Sequence, residues 1–148
     1  MIQDLAKKML DYGIKPELEV FDLGMINYAL YLIKKNLITP PYYFNLILGN
    51  IACAQANMLS LGLMIKELPQ PSIWSVGGVG DSQLQMNAAS IIFGGGVRVG
   101  LEDNIWYDRE RTHLATNQEL VERVISIAKT IGIQPYSHRE IRNLLKLS

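Results

Sequence analysis

The string VRVGLEDN, residues 97 to 104, sets a guanidinium and two adjacent carboxylates, Arg98, Glu102 and Asp103, into a run that otherwise reads as a buried strand. A trio of that kind at a strand end has a chemical use. A carboxylate at an open mouth suits a hard or borderline cation, and a neighbouring Asp fixed by an Arg can serve as a general base. Side chains alternate across a strand, so Val97, Val99 and Leu101 are expected on one face and Arg98, Gly100 and Glu102 on the other. Arg98 and Glu102 would then stand roughly 13 Å apart, at about 3.3 Å per residue, too far to pair directly. Glu102 and Asp103 would lie near the mouth, with Arg98 deeper, reaching up to a carboxylate or holding Glu17 or Glu19 of the first strand. The same residues also read as a purely structural ion-pair lattice, Arg98 with Glu17 or Glu19.

The elements that must position these residues follow a repeating pattern. An amphipathic opening helix, with Ile2, Leu5, Ala6, Met9 and Leu10 at helical spacing, stops at Gly13. The extended segment PELEVFD (16 to 22) leads into a helix around Met25 to Leu37, closed by Thr39-Pro40-Pro41. The strand YYFNLIL (42 to 48) precedes a helix from Gln55 to Leu68, with Met58, Leu61, Met64, Ile65 and Leu68 on one face. The strand SIWSV (72 to 76) runs through Gly77, Gly78 and Gly80 into a helix through Leu84, Ala88, Ile91 and Ile92, which ends at Gly94 to Gly96. The fourth strand is the motif itself. After the loop DRERTH (108 to 113), Thr116 and Glu119 form a capping box for a long helix with the stripe Val121, Val124, Ile125, Ala128 and Ile131. Ser137 and Glu140 form another for a short terminal helix. Strand starts near 16, 42, 72 and 97 are each one crossover apart, which predicts four parallel strands alternating with helices.

In the first strand Leu18 and Val20 should face opposite to Glu17 and Glu19, and in the second Phe44, Leu46 and Leu48 opposite to Tyr43, Asn45 and Ile47. An open sheet with helices on both faces would bury those glutamates at a cost of several kcal/mol each. A barrel avoids this, because its interior opens at the carboxyl ends of the strands, where active sites are built. The expected fold is therefore α/β, half of a (β/α)8 TIM barrel, a single domain over residues 1–148 with a short C-terminal helix.

Composition narrows the function. Of 148 residues, 49% are hydrophobic and 19% charged, and 14 basic side chains balance 14 acidic ones, so there is no basic face for nucleic acid. Cys53 is the sole cysteine, which excludes an internal disulfide and fits a reducing compartment. The N-terminal segment lacks a signal-peptide pattern and no stretch approaches a membrane span, so a soluble, cytoplasmic protein without a membrane partner is expected.

Taken together, KPELEVFD (15–22), PPYYFNLILG (40–49), IWSVGGVG (73–80), VRVGLEDN (97–104) and LATNQELVERVISIAKTIG (114–132) resemble the β-keto acid cleavage enzymes. The likeness covers the second half of that family's barrel. It implies zinc as cofactor and acetyl-CoA as co-substrate, with acyl exchange between a 3-oxo acid and the thioester to give acetoacetate and a new CoA thioester. By motif, Glu102 corresponds to the carboxylate zinc ligand, Asp103 to the base and Arg98 to the residue that orients it. Glu19 or Glu17 corresponds to a substrate-contacting glutamate, with Glu19 favoured as the nearer to the carboxyl end.

The family's remaining zinc ligands, a His-x-His pair, are not in this sequence, and His113 and His138 match neither. The zinc site is therefore expected to be incomplete. Asp81 stands where the family often has a basic residue, and GGVGDSQ lacks the third glycine of a dinucleotide fingerprint. The DRERTH loop is expected to be solvated, with subunit contact as the second option. Two readings result: a catalytic half completed by an N-terminal half-barrel, or a non-catalytic half-barrel fragment that forms a homo-oligomer. A third is a phosphate-binding barrel with an anion at glycines 77 to 80.

Overall fold

The protein is described here from a computed structural model covering residues 1–147. Four strands, β1 (Glu17–Val20), β2 (Tyr42–Leu48), β3 (Ser72–Gly78) and β4 (Gly96–Val97), form one sheet in the order β1-β2-β3-β4, every neighbour parallel. The helices are α1 (Ile2–Asp11), α2 (Leu23–Lys34), α3 (Met58–Lys66), α4 (Gln83–Ile92), α5 (Asn117–Thr130) and α6 (His138–Leu145).

Local chemistry sets the helix starts. Asp22 accepts the Met25 N–H at 2.9 Å to begin α2, and Asn57 does the same for Ser60 to begin α3, three residues later than periodicity alone suggests. The capping boxes Thr116/Glu119 and Ser137/Glu140 both form.

The sheet has one apolar and one polar face. Leu18, Val20, Phe44, Leu46, Leu48 and Val76 pack with buried residues of α2, α3 and α4 in one cluster, joined by Ala6 of α1. Glu17, Glu19, Tyr43, Asn45 and Ser75 occupy the alternate positions, on the side opposite these helices. An unreversed strand order with helices on one face is the winding of a barrel, whereas a doubly wound sheet reverses its order and carries helices on both faces. Four parallel strands alternating with helices thus make half of an eight-stranded barrel. No helix among the described residues is long and apolar enough to cross a membrane.

Two expectations change. β4 is a strand for only two residues. Arg98 N–H still bonds Val76 O at 3.0 Å, but the chain then folds into a turn in which Asp103 and Asn104 N–H both reach Gly100 O at 3.3 Å. Alternation therefore stops before Leu101, and Val97, Val99 and Leu101 stay half-buried outside the main core. The second change concerns α4. Leu84 and Ile92 of the expected apolar face are exposed, while Gln83, Asn87 and Ser90 point inward.

Candidate active site

Arg98 enters the polar face beside Gly77, and that glycine makes the entry possible. A Cβ at position 77 would lie 3.4 Å from both Cβ and Cδ of Arg98 and 3.1 Å from Ile47 Cδ1. From there the guanidinium meets three carboxylates. Nε donates to Asp103 Oδ2 at 2.9 Å, Nη1 to Glu19 Oε1 at 2.8 Å and Nη2 to Asp103 Oδ1 at 3.4 Å, while Nη2 also forms an ion pair with Glu102 Oε2 at 3.1 Å. The direct contact with Glu102 overturns the 13 Å separation expected of a continuous strand. The turn at 100–103 folds Glu102 back over Arg98.

Exposure ranks the three acids. Asp103 is 8% exposed, Glu19 43% and Glu102 85%, around an arginine that is 25% exposed. Only Asp103 is largely withdrawn from water, and it alone contacts Arg98 through both oxygens. The hydrogen bond to Asp103 is the main cause that holds the Arg98 guanidinium above its usual pKa. Burial opposes it, and attraction to Asp103, Glu19 and Glu102 adds to it.

Glu17 takes a different path. Asn45 Nδ2 donates to Glu17 Oε1 at 2.9 Å, Asn45 Oδ1 accepts from Ser75 Oγ at 3.0 Å, and Tyr43 OH lies 3.2 Å from Ser75 Oγ. This chain of contacts crosses β1, β2 and β3 on the polar face. Glu19, one turn of the pleat nearer the carboxyl end, is the glutamate that reaches Arg98.

The backbone carrying Arg98 is gripped from behind by α4. Asn87 Nδ2 donates to Arg98 O at 2.8 Å and to Val76 O at 3.2 Å; Gln83 Nε2 donates to Gly100 O at 2.9 Å; and Ser90 Oγ donates to Gly96 O at 2.5 Å. All three side chains are buried. Spaced i, i+4 and i+7, they form one stripe of the helix that precedes the motif. The sequence reading did not single out this stripe, although the polar spacing Gln83-Asn87-Ser90 is its signal.

A cleft of about 270 Å³ opens beside Asp103, with Asp81, Glu102, Asn104, Trp106 and Arg111 among its walls. Arg111 of the DRERTH loop reaches Asp81 at 3.2 Å, so the loop is exposed but its tip bends onto the cleft. His113 pairs with Glu119 at 3.2 Å, and His138 begins α6; neither lines this cleft.

Whether these acids could hold a metal depends on the donors available. Zinc in a catalytic site takes three protein ligands and keeps one open position. Here Asp103 is committed to Arg98 and Glu102 is the outermost acid. Among the described residues, no group of three or more His, Cys, Asp or Glu side chains is arranged to hold a metal ion. The donors of this chain alone do not fit zinc.

Residues 1–147 match the beta-keto acid cleavage enzyme family. The chain belongs to that family. Over 146 residues it is 42% identical to the 3-keto-5-aminohexanoate cleavage enzyme of Fusobacterium nucleatum, covering 99% of this chain and 53% of that enzyme. It is 38% identical over 148 residues to the enzyme of the same name from Acetoanaerobium sticklandii, covering 100% of this chain and 54% of that one. It is also 32% identical over 148 residues to the 3-dehydrocarnitine:acetyl-CoA trimethylamine transferase of Rhizobium meliloti, covering 100% of this chain and 49% of the relative. The chain thus spans about half the length of the curated beta-keto acid cleavage relatives it matches, in keeping with four strands where a closed barrel has eight.

Proposed function

We propose that this chain supplies the carboxyl-terminal half of an active site that exchanges acyl groups between a 3-oxo acid and acetyl-CoA, forming acetoacetate and a new CoA thioester. The observation that carries this reading is Arg98 holding the shielded Asp103 at the rim of a cleft. Family membership and the similarity to the 3-dehydrocarnitine:acetyl-CoA trimethylamine transferase support it. Asp103 accepts the proton from the carbon next to the substrate carbonyl, and that carbon keeps the electron pair as an enolate. Arg98 orients the base. Glu19, on the same face, contacts the substrate, with Glu17 set behind it in the Asn45–Ser75 network.

Glu102 is the carboxylate this chain would contribute to zinc, with every other ligand coming from an N-terminal half-barrel. The proton transfer itself needs only Asp103 as acceptor and Arg98 to orient it. The test is acetoacetate formation from acetyl-CoA and a panel of 3-oxo acids, with the chain joined to its N-terminal half. Loss of turnover in both Asp103→Asn and Glu102→Gln supports the reading; full turnover in Asp103→Asn ends it.

A second reading, a non-catalytic half-barrel that self-associates, is favoured by the stripe of α1, where Ile2 and Leu5 remain 53% and 58% exposed. It predicts a stable homo-oligomer with no acyl exchange in any pairing.

A further inference from the structure

The cleft beside Asp103 has an electrostatic difficulty. Its walls include Asp81, Glu102 and Asp103, and Arg111 is the one cation among the residues lining it. Arg98 is not among the lining residues, and its charge is already shared by Asp103, Glu19 and Glu102, so it adds little for an incoming anion.

Arg111 is delivered by a built structure. Trp106 and Leu114 form an antiparallel bridge, Tyr107 N–H bonds His113 O and Ala115 N–H bonds Ile105 O, each at 2.9 Å. Asp108 accepts the His113 N–H at 2.8 Å and the Thr112 N–H at 3.0 Å. The Arg123 guanidinium stacks 4.5 Å over the Tyr107 ring. At the tip, Arg111 adopts φ +57°, a left-handed conformation that non-glycine residues seldom take.

Its partner is loosely held. A single nitrogen, Nη2, serves both oxygens of Asp81 at 3.2 Å, longer than the roughly 2.7–2.9 Å of a strong charge-assisted bond and without the two-pronged geometry arginine offers a carboxylate. Both side chains are 57% exposed, where such pairs contribute little.

We propose that Arg111 is an oxyanion-binding arm of this cleft, and that Asp81 is the internal stand-in it releases when a ligand's carboxylate or phosphate arrives. The inference rests on the proposed acyl exchange only for the ligand's identity, since both a 3-oxo acid and CoA are anionic. Binding is read without turnover, so the two can fail separately.

The experiment is calorimetric titration of the chain, at constant ionic strength, with acetoacetate in one arm and inorganic pyrophosphate in the other. Saturable binding in at least one arm is expected, and the stronger arm identifies the source of the oxyanion. Arg111→Gln should weaken it about tenfold, as loss of a charge-assisted contact does. Arg111→Lys should retain part of it. Asp81→Asn should tighten it about two- to fivefold by removing the competitor. Unfolding midpoints unchanged across the variants would show that the exposed substitutions leave the fold intact. Binding in neither arm, equal binding in Arg111→Gln, or no tightening in Asp81→Asn would overturn the proposal.

Discussion

Replacing Arg98 by Met removes one guanidinium from three carboxylates whose exposures differ tenfold, so the structure assigns unequal energies to the three pairs. The Arg98–Asp103 contact is short, at 2.9 Å, and Asp103 is 8% exposed. A hydrogen bond to a charged group of this kind contributes about 2 kcal/mol. The Arg98–Glu102 contact, at 3.1 Å with Glu102 85% exposed, falls in the range of surface pairs, about 0.2–1 kcal/mol. Arg98→Met should cost about 3 kcal/mol in all, because it also leaves the Asp103 carboxylate shielded and unpaired. Two double-mutant cycles separate the terms, Arg98→Met with Asp103→Asn and Arg98→Met with Glu102→Gln, each read by urea unfolding at constant m. The expected couplings are about 2 and below about 1 kcal/mol. Equal couplings, or an Asp103 coupling under about 0.5 kcal/mol, would refute the claim that Arg98 serves chiefly to hold Asp103.

Asn87→Ala removes the donor shared by Arg98 O and Val76 O, and should destabilise the chain by about 1–3 kcal/mol in the same unfolding assay, with Arg98 the residue whose NMR signals move most. Glu119 closes the α5 cap, and hydrogen bonds from Thr116, first its backbone N–H and then its hydroxyl, hold its carboxyl below the ordinary 4.5, with His113 adding attraction. A depressed folded-state value means the stabilisation is complete above pH 4.5 and is lost as pH falls through the folded value. The difference in melting temperature between wild type and Glu119→Gln should therefore shrink as pH falls below the ordinary 4.5; a constant difference would contradict the cap's role.

Alternation made the two faces of β1 and β2 legible in advance. Leu18 and Val20 against Glu17 and Glu19, and Phe44, Leu46 and Leu48 against Tyr43 and Asn45, lie as a period of two requires. The capping boxes were equally plain, because their chemistry is local. Arg98 with Glu102 was misread because periodicity carries no signal for where a strand stops. Gly100 accepts the turn bonds from Asp103 and Asn104, and a glycine there reads as well within a strand as in a turn. Arg98 with Glu19 spans 79 residues, so the sequence could offer Glu17 and Glu19 only as alternatives, and the register of β1 on β2 separates them. The buried stripe of α4 was missed for a different reason. Hydropathy ranks Leu84 and Ile92 above Gln83 and Asn87, yet the ragged backbone of 96–100 needs donors, and α4 turns its polar residues inward to supply them.

Exchange of the hydrogens on the carbon between the two carbonyls of acetoacetate, followed by NMR in D2O with the chain joined to its N-terminal half, tests the central claim most directly. Exchange above the buffer rate that vanishes in Asp103→Asn and falls in Arg98→Lys is the predicted result. Exchange that persists undiminished in Asp103→Asn would contradict it.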